Sequence, residues 1–99
     1  MATTTIPRMN PVVYESGTTG SLSVDGNSYT GYSVTFTKKF TTAPYVVLTL
    51  KSSISNVGNA FATVAYVYGN PTTTGFTLRL YNNTANTRSP EVYWLAVGE

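Results

Sequence analysis

The chain has 99 residues, 41% apolar and 13% aromatic but only 10% charged, with six basic against four acidic side chains for a net charge of +2. That length fits one small domain, and eight Tyr, four Phe and a Trp exclude a disordered chain, which lacks the aromatic residues to build a core. With no His and no Cys, the commonest general base, the thiol nucleophile, disulfides and thiolate metal sites are all excluded.

Residues 1–9 read as a Thr-rich, Pro-containing arm without periodicity. They lack the apolar run of a signal peptide, so the chain is expected to be synthesised in the cytoplasm as it stands. No stretch approaches the ~18 apolar residues of a membrane span. Residues 10–99 read as the folded domain, a succession of short Val-, Tyr-, Phe-, Thr- and Leu-rich segments separated by Gly, Asn, Ser and Pro. The predicted strands are Pro11 to Glu15, Ser21 to Val24, Tyr32 to Thr37, Tyr45 to Ser52, Phe61 to Tyr68, Gly75 to Asn82 and Glu91 to Val97. Alternation supports them: Val34 with Phe36, Val46 with Leu48 and Leu50, and Phe76 with Leu78 and Leu80 each share one face, a period of two that no helix can use. Asp25-Gly26-Asn27 reads as a tight turn, Asn56-Val57-Gly58-Asn59 as a loop and Asn70 to Gly75 as a polar connection. Pro44 suits the position before a strand. The segments Phe61 to Tyr68 and Glu91 to Val97 carry large residues on both parities. Such strands are buried once in the core and once elsewhere, most simply against another subunit.

Four acids, Glu15, Asp25, Glu91 and Glu99, make no paired motif for glycoside hydrolysis. Lys51 with Ser52 or Ser53 is poor geometry for a nucleophile and its base, because neighbours on a strand point to opposite faces. There is no phosphate loop and no metal-ligand spacing. The six basic residues are scattered, with only Lys38-Lys39 adjacent, which gives no footprint for nucleic acid. No enzyme, cofactor or metal is expected. What remains suits neutral polar ligands such as sugars: Asn, Thr and Tyr side chains that donate, accept and offer flat rings. Asn82, Asn83, Thr84, Asn86 and Arg88 form the best candidate loop, Asp25 and Asn27 a second candidate turn, and each also reads as an ordinary solvated turn.

Three blocks carry a resemblance: V-T-F-x-x-x-F-x-x-x-P-x-V-V-L-x-L at Val34 to Leu50, T-G-F-T-L-R-L-Y at Thr74 to Tyr81, and Y-W-L-A-V-G at Tyr93 to Gly98. Over residues 31–98 the chain resembles the H-type lectin domain and is similar to the C-terminal receptor-binding domains of phage tail fibres. The resemblance implies an all-β, six- to seven-stranded antiparallel sandwich that forms a homotrimer, with ligand sites near subunit boundaries. Tyr68, Tyr93 and Trp94 are the expected interface residues. Animal H-type lectins typically carry a Trp-His pair after the T-G-F strand, where this chain has Asn83 and Thr84, and an Arg whose place falls near Tyr66. Galactosamine specificity is therefore not implied, although Tyr66 stays a candidate ligand contact. The expected function is a virion appendage domain that binds surface saccharide of a bacterial host, with the arm available to a larger virion protein. The alternative is a structural decoration or cap without a ligand, and a free lectin is a third reading. Neither nucleic acid nor membrane is an expected partner.

Overall fold

The period of two along the chain becomes two layers. The computed structural model describes residues 11–51 and 63–99, and these form six strands: β1 (Val13–Ser21), β2 (Ser28–Thr35), β3 (Tyr45–Lys51), β4 (Thr63–Tyr68), β5 (Gly75–Asn82) and β6 (Glu91–Gly98). One sheet has the order β1-β6-β3 and the other β2-β5-β4, every pair antiparallel. Phe76, Leu78, Leu80 and Asn82 of β5 face Val92, Trp94 and Ala96 of β6 across the core, where Val34, Phe36 and Phe40 join them. The aromatic centre is tight: Phe36 and Phe40 meet edge-on with centroids 4.9 Å apart, and Phe76 meets the Trp94 indole at 5.5 Å. Such contacts add to the burial of the rings themselves.

β1 differs from the sequence expectation, which split it into Pro11 to Glu15 and Ser21 to Val24. It runs unbroken because each of its glycines has a local use. A Cβ on Gly17 would lie 2.8 Å from the Trp94 ring, so the missing side chain is what admits the indole. Gly20, at a φ of 67°, lies in a bulge where Thr19 and Gly20 oppose Val92 alone. There the Thr19 hydroxyl accepts from the Val92 amide, which the bulge leaves without a ladder partner. β2 likewise begins earlier than expected, at Ser28, directly after the Asp25-Gly26-Asn27 turn. β3 and β5 match their predicted spans to within a residue. The arm, the 56–59 loop, Phe61, Ser52 and Ser53 lie outside the described residues.

The register defines two ends. Val13 and Tyr45 lie beside Gly98 and Val97, and the Thr41 amide donates to the Glu99 carbonyl, so the start of β1 and the end of the chain share one end. Residues 22–27 and 83–90 lie at the other, distal end.

Candidate functional site

At the distal end the structure brings together the two candidate loops of the sequence. Val24 and Arg88 exchange backbone hydrogen bonds, and the Asn27 amide donates to the Thr84 carbonyl. A Cβ on Gly26 would lie 2.3 Å from the Ala85 carbonyl oxygen, so only glycine lets the turn sit this close. Asn27 takes a left-handed φ of 52°, which Asn tolerates better than most residues. The clasp is Asn82. Its amide donates to the Val24 carbonyl at 3.0 Å and the Asn86 carbonyl at 2.7 Å, and its oxygen accepts from the Thr84 amide and hydroxyl. Asn82 is 0% exposed. The expectation that it contacts a ligand is therefore corrected, because every polar atom of the side chain is committed and none is within reach of solvent. Thr84 is half-buried in the same network, with Arg88 Nε 3.5 Å from its hydroxyl. Asp25, Asn27, Asn83 and Asn86 remain on the exposed rim.

The outer face of the first sheet groups aliphatic and aromatic side chains with Ser16, Thr18 and Thr49, and Lys38 and Lys51 lie over its Tyr14 and Tyr93 rings. In register order its rows are Tyr14, Val97 and Tyr45, then Ser16, Leu95 and Val47, then Thr18, Tyr93 and Thr49. Tyr45 is 73% exposed and Val47 55%. Exposed apolar side chains are thus grouped on this face. Its distal edge is polar: Lys51 and Glu91 pair at 3.4 Å, and the Thr18 hydroxyl donates to Glu91. That hydrogen bond, reinforced by Lys51, lowers the Glu91 carboxyl below its ordinary range, while Tyr93 and then Glu91 raise the Lys51 ammonium.

The outer face of the second sheet is aromatic and cationic. Its rows are Tyr29, Tyr81 and Val64, then Gly31, Arg79 and Tyr66, then Ser33, Thr77 and Tyr68. The Arg79 guanidinium lies 3.5 Å from the Tyr68 ring centroid and 4.6 Å from that of Tyr29. Cation–π contacts of this sort hold a long side chain that would otherwise sample many rotamers.

The expected interface residues separate. Tyr93 lies on the first outer face and Tyr68 on the second, while Trp94 points inward and is 8% exposed. The expectation that Trp94 lies at an interface is thus corrected: inward parity in β6 places it in the protomer core. Tyr66 is exposed on the second face, away from the Asn83 rim. The residues that the sequence reading missed are Tyr29, Arg79 and Tyr81. Alternation along G-F-T-L-R-L-Y-N already puts Arg79 and Tyr81 on the face opposite Leu78, Leu80 and Asn82. At the end where the chain terminates, residues 35–40 and Thr73-Thr74 line an open groove of about 420 Å³. The Glu15 carboxylate there accepts from the Thr37 and Lys38 amides. Among the described residues no three metal-ligating side chains converge.

Two facing three-stranded sheets with exposed aromatic outer faces define a small antiparallel β-sandwich domain. Residues 14–99 match the family described as putative tail fiber protein gp53-like, C-terminal, and the chain belongs to that family. By that match it is a tail-fibre C-terminal domain. Its fold is similar to that of an N-truncated R1-type pyocin tail fibre, with a TM-score of 0.62 and 19% identity over 89% of this chain and 70% of that one. A longer fragment of the P. aeruginosa R1 pyocin fibre gives the same TM-score and identity, and there the chain spans 23% of the length. Among curated proteins no sequence matches.

Proposed function

We propose that this tail-fibre domain recognises carbohydrate on the surface of a bacterial host, and that three copies associate through the outer face of the first sheet. The observation that carries the reading is the set of exposed Tyr rings held on rigid strands beside a rim of neutral Asn side chains. Rings stack on the C–H faces of sugars, and amides bond their hydroxyls without desolvating a charge. The aliphatic centre of the first face, Leu95, Val47 and Val97, offers packing area and few hydrogen bonds, which suits a contact between copies. Three sites per particle would turn weak individual affinities into firm adsorption. Residues 1–9 are the proposed attachment to a larger virion protein.

The test is binding of the purified chain to host cells and to an array of bacterial surface glycans. Specific retention is expected, weakened by Asn83→Ala or Arg88→Ala. Full binding by both variants would remove the distal rim from the site, and no binding to cells or glycans would leave the alternative, a structural cap. The commitment of Asn82, Thr84 and Arg88 to one another favours that alternative, since those groups already have partners.

A further inference from the structure

The charge on the second outer face has no internal explanation. All four acidic residues of the chain are accounted for elsewhere. Glu15 holds the Thr37 and Lys38 amides, Glu91 pairs with Lys51, Asp25 lies in the distal turn, and Glu99 follows β6 beside Thr41. None belongs to the rows of β2, β5 and β4 that face outward. Arg79 is therefore a permanent cation without a carboxylate within 4 Å among the described residues, lying against two Tyr rings in the middle of a sheet. The guanidinium carbon lies over the rings, and its N–H groups form a planar fork matched to carboxylate and phosphate oxygens.

The surroundings fit a sugar around that anion. Gly31, directly opposite Arg79 on β2, puts no side chain there, and a Cβ built on it would have only the Leu78 carbonyl oxygen within 4 Å. Tyr66 opposes Arg79 from the other side, and the Tyr29, Tyr81 and Val64 row continues the face to the distal end. The result is a shelf beside a fixed cation, walled by rings and free of competing negative charge.

We infer that this face binds an acidic saccharide, with Arg79 holding its carboxylate or phosphate and Tyr29, Tyr66, Tyr68 and Tyr81 stacking on its rings. The inference rests on the carbohydrate reading above and narrows it to a ligand class and a surface. A second copy of this chain meeting it face to face is disfavoured as the occupant, because its matching face would bring a like charge and no acid.

The test is calorimetric titration of the full chain with trigalacturonate, galactose 6-phosphate and neutral galactotriose, alongside binding to host cells. At low ionic strength one of the acidic probes is expected to bind at least about tenfold more tightly than galactotriose, an advantage that added salt reduces. Which acidic probe wins distinguishes carboxylate from phosphate. Arg79→Gln should abolish the preference, Arg79→Lys should restore part of it, and Tyr68→Ala should weaken all three probes. Thermal melts and solution mass of each variant report folding and assembly. Binding to cells without preference for either acidic probe, or unchanged preference in Arg79→Gln, overturns the inference and spares the carbohydrate reading. Loss of assembly in Arg79→Gln overturns it too, by making the face a contact between copies. No binding to any probe or to cells overturns both.

Discussion

The two outer faces are built on the same plan, three strands with Tyr in the flanking rows, yet their centres differ. The first has Leu95 beside Val47, and the second has Arg79 beside Gly31 and Tyr66. An aliphatic centre gains from being covered by another apolar surface and loses little hydrogen bonding when it is. A stacked, unpaired guanidinium gains only if its partner brings negative charge or hydrogen-bond acceptors. Similar exposure of aromatic rings thus accompanies different chemistry in the middle row.

The largest expected effect comes from placing a charge in the aliphatic centre. Leu95→Lys is expected to reduce the solution mass from that of the proposed three chains to that of one while the far-ultraviolet spectrum of the sandwich persists. Retention of the threefold mass would break the assignment of this face. Asn82→Ala sharpens the comparison from beneath the second sheet. It leaves the Thr84 amide without its acceptor and takes one of two donors from the Val24 and Asn86 carbonyls, which keep the Arg88 amide and the Thr84 hydroxyl, and a loss of about 1–3 kcal/mol in chemical denaturation is expected, with the mass unchanged. A cost near zero would mean that water replaces the clasp and that the distal loops do not depend on it. The smallest effect belongs to Glu91, at the edge of the first face. Its carboxyl is held below the ordinary range, so it adds stability at neutral pH that is lost as pH falls through the folded value. Thermal melts of Glu91→Gln are expected to lie slightly below wild type near neutrality and to converge with it in acid. A constant gap across that range would show that Thr18 and Lys51 do not depend on the charge.

Much of the strand layout was legible because alternation is a local property. Phe76-x-Leu78-x-Leu80 and Val46-x-Leu48-x-Leu50 announce both their strands and their inward faces. The same parity extended two residues places Asn82 inward, so its withdrawal from the site was readable, although its four hydrogen bonds were not. β1 was misread because glycine signals a break locally. At Gly17 the cause is a Trp distant in sequence that needs the space, and at Gly20 a bulge against β6. The candidate loops were correctly placed as turns, but that Asp25-Gly26-Asn27 and residues 82–88 clasp each other depends on contacts across about sixty residues of chain.

The sequence by itself determined the β class, most strand positions, the lack of His and Cys chemistry and the parity of Arg79 and Tyr81, because each follows from composition or from a period of two. Only the tertiary structure decided which rows stand side by side. Register between strands far apart in the chain is set by how inward faces share one core, and that sharing put Arg79 among Tyr29, Tyr66 and Tyr68, left Leu95 beside Val47, and drew Trp94 inside.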